Sequence, residues 1–146
     1  MGVIADITVE KNVAQILVEA GVKLEEVEGI IWRLVYICPI RESAHMSNSH
    51  FHWDHTGDPS TFPSTTALVV GPGAISNFLP GYPVDQTSHI LESDYAGREL
   101  REVNFSTTPR RIGTFNAMDW FGDGSFYLLD SPGVCDLVHH ILAMLS

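Results

Sequence analysis

The sequence is short of cysteine, short of basic residues and without a long apolar run. Two cysteines, Cys38 and Cys135, are too few for a disulfide framework. Lysine and arginine total 8 against 18 aspartates and glutamates, a formal net charge of −10. That balance argues against nucleic-acid binding, which draws on clustered Lys and Arg to neutralise phosphates. No apolar stretch approaches the roughly 18 residues of a membrane span, so no membrane partner is expected. Residues 1–6 show neither a basic n-region nor an apolar h-region, and a cytoplasmic location is the expectation. There is no G-x-S-x-G elbow and no convincing Cys–His pair, which removes the common side-chain nucleophiles.

What is present is globular. The 146 residues are 45% hydrophobic and 18% charged, a composition that fits one packed domain rather than disorder. Val13, Ile16, Leu17 and Ala20 recur at helical spacing, and Gly21 follows as a stop signal. Residues 23–28 read as a short second turn of helix. Gly29-Ile30-Ile31-Trp32 opens an apolar, β-branched run suited to a buried strand. Asp58-Pro59 is a helix start, with Asp as cap and Pro at the first position. Residues 66–70 form a second buried-strand pattern, Gly71-Pro72-Gly73 a turn, and residues 74–79 a short helix. A loop rich in Pro, Gly, Asp and Ser covers residues 80–93. Residues 98–105 are strand-like, and residues 114–121 and 125–129 flank Gly122-Asp123-Gly124 as a hairpin. Helices mixed with strands predict an α/β or α+β class with a mixed sheet.

One stretch stands above the rest: Ser49-His50-Phe51-His52-Trp53-Asp54-His55-Thr56-Gly57-Asp58. It has the form H-x-H-x-D-H. On a strand, His50 and His52 share one face because side chains alternate with period two, and together they can chelate a cation. Asp54 and His55 lie just beyond, where the chain must turn, and can hold a second cation from another direction. Imidazole and carboxylate donors without thiolate suit zinc, while iron and manganese also fit. Two such cations lower the pKa of a bridging water and polarise a carbonyl. Phe51 and Trp53 alternate with the ligands and are expected to pack away from them. His45 and His89 are expected to be bystanders, and Gly122-Asp123-Gly124 lacks the series of acidic ligands that calcium needs.

Residues 49–63 resemble the metallo-β-lactamase superfamily of metallo-hydrolases, and within it the fungal lactonase- and lactamase-like members. Residues 13–32 are similar to the helix and strand that lead into the motif, and residues 66–73 and 126–133 to later strands. The resemblance implies a partial αββα sandwich whose C-terminal half is missing, with one incomplete domain over residues 1–146. It implies zinc, up to two per site, with His50 and His52 on the first metal and Asp54 and His55 on the second. Asp54 is then the catalytic residue that steers a metal-bound hydroxide and helps the leaving group take its proton. The implied reaction opens a small-molecule lactone or lactam.

Two stretches depart from the family pattern. Residues 33–48 stand between the strand and the motif and are expected to be an insertion. Asp130-Ser131-Pro132-Gly133 matches the family, but Val134 occupies the position of its third histidine, and valine binds no metal. The chain stops at Ser146, before the expected bridging aspartate and last histidine, and residues 134–146 read as an atypical tail. Cys135 is one residue out of register, and His139 and His140 need an unusual turn to reach the site. A two-ligand zinc site is weak, since catalytic sites ordinarily carry three protein ligands. This chain alone is therefore expected to bind metal poorly and to hydrolyse little. The rival readings are a catalytically dead remnant of the same fold and an iron-binding redox relative.

Overall fold

The computed structural model describes residues 10–32, 57–107, 110–132 and 139–145. Helix α1 spans Val13–Glu19, and its start is fixed by its own side chains. Asn12 Oδ1 accepts from the Gln15 amide at 2.8 Å, and Gln15 Oε1 accepts from the Asn12 amide at 2.9 Å. This reciprocal pair satisfies two of the donors that a helix N-terminus leaves orphaned. A 3-10 turn over Leu24–Glu26 leads to strand β1, Gly29–Ile31. A second 3-10 turn, Pro59–Thr61, precedes β2, Ala67–Val70. Helices α2 (Ala74–Phe78) and α3 (Glu92–Tyr95) then precede β3, Leu100–Glu102. Strands β4 (Arg110–Ile112), β5 (Phe115–Asp119), β6 (Phe126–Pro132) and β7 (His139–Leu145) complete the order.

The strands make two sheets of opposite character. β1, β2 and β3 lie side by side and parallel, with Gly29 opposite Ala67 and Leu68 opposite Leu100. β4 to β7 form an antiparallel meander in chain order. All four residues of β2 are buried, because both of its faces are covered. Leu68 and Val70 point to one side and pack with Trp32, Ala74 and Ile90 under the short helices. Val69 points to the other side and packs with Val103 and Phe105, just beyond β3, and with Leu128 of the second sheet. One central strand thus feeds two cores, by the period-two alternation of its side chains. The result is an α+β arrangement of helices, sheet and sheet, consistent with a partial metallo-β-lactamase fold.

The expected elements fall near their predicted places, with four differences, the first being β7, an added strand paired with β6 where residues 134–146 were expected to be an atypical tail. The strand expected over residues 98–105 is shorter, because the chain turns into a 3-10 helix at Phe105–Thr107. β4 is an added strand, paired to β5 through Arg110–Ala117 and Ile112–Phe115. Helix α3 lies where a loop was expected to end. The β5–β6 turn is closed by Asp119, whose Oδ1 accepts from the Gly122 amide at 3.0 Å and Oδ2 from the Gly124 amide at 2.9 Å. These two hydrogen bonds close the hairpin turn expected at Gly122-Asp123-Gly124.

Candidate metal site

The proposed ligands His50, His52, Asp54 and His55 lie outside the described residues, as do Phe51, Trp53, His45, Val134 and Cys135. The structure describes the residues that flank them in the sequence, up to Trp32 and from Gly57 onward. On the near side, β1 ends at Ile31 and runs on into Trp32, whose amide donates to the Val69 carbonyl at 2.8 Å. Trp32 is buried in the first core, so the chain leaves the sheet from a fixed point at the carboxyl end of a parallel strand. In open α/β sheets that end is where ligands bind.

On the far side, Gly57 has φ +60°, the left-handed region that glycine enters at no steric cost. Asp58 follows as the cap of the Pro59–Thr61 turn. Its Oδ1 accepts from the Ser60 amide at 3.1 Å and also from the Ser60 hydroxyl. The sequence expectation of a helix start at Asp58-Pro59 is met by this single 3-10 turn.

A clamp then holds the chain beyond that turn. Arg98, just before β3, donates from Nη2 to the Phe62 carbonyl at 3.1 Å and from Nη1 to the Thr66 carbonyl at 3.4 Å. Thr66 is fully buried, and among the described residues neither its hydroxyl nor Arg98 Nε has a partner. Asp94 stands nearby on α3. Burial raises its pKa above the ordinary carboxylate value, the Leu91 amide and Arg98 oppose the rise, and the charge on Asp58 adds to it. Sequence reasoning gave Arg98 and Asp94 no role. Main-chain carbonyls are the acceptors of Arg98, and they leave no mark in a sequence.

The remaining candidates sit on other elements. His89 lies in the loop before α3, and among the described residues no three His, Cys, Asp or Glu side chains converge to hold a metal. Asp130 lies on β6, where Asn116 Nδ2 donates to its Oδ2 at 3.1 Å. His139 and His140 are on β7, in register with Pro132 and Ser131. Among the described residues no helix is long and apolar enough to cross a membrane.

A parallel sheet packs through one central strand on an antiparallel sheet, and H-x-H-x-D-H follows β1 in the sequence, a combination consistent with a partial metallo-β-lactamase fold. Comparison with known proteins gives the particular relatives. The chain is 46% identical over 128 residues to gamma-lactamase MBL2 of Gibberella moniliformis, covering 87% of this chain and 47% of that protein. It is 45% identical over 128 residues to gamma-lactamase FDB1 of Fusarium pseudograminearum, covering 87% of this chain and 27% of that one. It is 43% identical over 124 residues to metallo-hydrolase mfmC of Annulohypoxylon moriforme, with 85% and 28% covered. The chain therefore belongs to a metallo-β-lactamase-like family, and it spans less than half the length of each of these relatives. No family model and no solved structure matches it.

Proposed function

We propose that the chain carries the metal-binding half of a hydrolase that opens a small cyclic amide or ester. The observation that supports this most is the run His50-x-His52-x-Asp54-His55, placed after β1 in a chain 46% identical to a gamma-lactamase. The donor set fits zinc: three imidazoles, one carboxylate and no thiolate. His50 and His52 would hold one cation, and Asp54 and His55 a second. Bound there, zinc supplies an acidified water and a Lewis acid for the substrate carbonyl. Asp54 orients the attacking water and returns its proton to the departing nitrogen or oxygen. Gly57 and the Asp58 cap fix where the motif rejoins the fold, and Arg98 anchors the segment beyond it.

In this reading residues 33–48 are an insertion between β1 and the motif, and residues 134–146 depart from the family pattern. Val134, at the position of the family's third histidine, favours a second reading, a catalytically silent member of the same fold. Elemental analysis after purification from zinc-supplemented medium separates the two, beside a His52→Ala, Asp54→Ala double variant. Zinc above the level of the variant, but below about one per chain, is the expected result for a site with two protein ligands per cation, with lactam and lactone hydrolysis assays to follow. Equal metal in both proteins overturns the ligand assignment. Zinc without hydrolysis leaves the silent reading in place, and iron in place of zinc favours redox chemistry.

A further inference from the structure

The first core is apolar in its middle and polar at one end. Leu68 of β2 stands opposite Leu100 of β3 in parallel register. The same offset sets Thr66 beside Arg98, two residues earlier on each chain. Side chains two apart share a face. Thr66 and Arg98 therefore lie on the Leu68 side, which packs under the short helices. The pairing reaches back this far: the Leu68 amide donates to the Glu99 carbonyl at 2.8 Å, and Arg98 Nη1 to the Thr66 carbonyl at 3.4 Å. The Thr66 amide is engaged too, donating to the Pro63 carbonyl at 3.0 Å. Thr66 is 0% exposed. Among the described residues, its hydroxyl and Arg98 Nε are the buried side-chain polar atoms without a hydrogen-bond partner. Both orphans thus fall in one cross-strand pair. A buried polar group costs stability unless something answers it.

We propose that one buried water joins the Thr66 hydroxyl to Arg98 Nε. The guanidinium N–H only donates, whereas the hydroxyl both donates and accepts. Water is the small group that accepts from the first and exchanges a bond with the second. An anion also accepts from both, but carboxylate charge stands close by. Asp94 senses the charges of both Asp58 and Arg98, and a neutral occupant suits such a place. The bridge makes Thr66 a positioning residue. Arg98 then grips residues 62–66 at the Phe62 carbonyl, at the Thr66 carbonyl and, through water, at the Thr66 hydroxyl. The segment so fixed runs from the Pro59–Thr61 turn into β2. The proposal needs neither bound metal nor hydrolysis, and it stands apart from the hydrolase reading.

The test is a double-mutant cycle read by thermal melting, with Thr66→Val made in the parent and in Arg98→Met. Valine keeps the outline of threonine and removes the hydroxyl. In the parent it strips the water of one partner and lowers Tm by about 2–6 °C. Arg98→Met strips the water of the other, so the water leaves and part of its ordering cost is recovered. In that background Thr66→Val no longer lowers Tm. Arg98→Lys, which also lacks the guanidinium Nε, takes the place of Arg98→Met if the methionine chain does not fold. A rise in Tm for Thr66→Val in the parent overturns the proposal, because that is the gain from deleting an unanswered hydroxyl. An equal fall in both backgrounds also overturns it, since the hydroxyl is then held by a group that Arg98 does not share. A crystal structure of the parent is the second measurement. Density within about 3.2 Å of both atoms supports the bridge. A Thr66 hydroxyl turned onto a main-chain carbonyl, with no such density, overturns it. A bromide signal at that position in soaked crystals gives the site to an anion and overturns the water.

Discussion

Replacing Arg98 with methionine keeps the length of the side chain and removes its charge and donors. Two contacts are lost, to the Phe62 carbonyl at 3.1 Å and the Thr66 carbonyl at 3.4 Å. Only the first lies within the ordinary N–H···O range, so it carries most of the effect. A hydrogen bond to a charged group contributes about 1.5–3 kcal/mol. The buried Arg98 Nε has no partner among the described residues, and removing it gives some of that back. The expected net loss is therefore about 1–2 kcal/mol, in the lower part of the range. In a chain of this length it corresponds to a fall in Tm of about 3–8 °C. Thermal melting followed by circular dichroism reads the global effect. Hydrogen exchange reads the local one, because the amide of Ala67 and those of the Pro59–Thr61 turn should lose protection first. Arg98→Lys is the control: it restores charge but not the planar fork, and should recover only part of the loss. A methionine variant that melts within 1 °C of the parent, with unchanged exchange over residues 59–67, would refute the clamp.

Leu68 is fully buried in the middle of β2, against Trp32, Val70, Ala74 and Ile90. Leu68→Ala should cost about 2–5 kcal/mol, read by urea unfolding, and a loss below about 1 kcal/mol would mean the first core is not packed as described. Asp94 has its pKa raised above the ordinary 3.8 by burial, so the folded chain holds that proton more tightly than the unfolded one. Stability then declines as pH rises through the carboxylate range, and Asp94→Asn should be more stable than the parent at pH 7, with the gain vanishing in acid below the ordinary carboxylate pKa. Urea titrations at the two pH values check this, and a variant that is weaker at neutral pH would contradict it.

The elements that the sequence announced are those with local chemistry. The spacing of Val13, Ile16 and Leu17 marks α1, Asp58-Pro59 marks a turn, and Gly122-Asp123-Gly124 marks a hairpin, whereas the Asn12–Gln15 cap of α1 was not read from the sequence. The apolar run at residues 66–70 was legible as buried because a strand with both faces covered needs no alternation. What remained hidden depends on distant partners. β4 is three residues long with two arginines, and only its pairing with β5 makes it a strand. Helix α3 is a single turn, too short to show periodicity. The same division holds at the site. The candidate ligands form a local pattern that the sequence displays by itself, and they lie outside the described residues. The Arg98 clamp spans more than thirty residues to two carbonyls and was not.

The contrast between the two sheets has a consequence for how the chain acquires its structure. Each strand of the second sheet pairs with its neighbour in sequence, so its ladders close short loops and can form early. The first sheet is different: β1 must wait for β2 across residues 32–66, and β2 for β3 across residues 71–99. Loop closure of that length delays parallel pairing. The order of assembly therefore runs against the order of synthesis, with the later-made meander setting first and Val69 docking on Leu128 only once β2 is in place. The carboxyl end of β1, which precedes the candidate ligands in the sequence, is expected to be among the last of the described parts to become fixed.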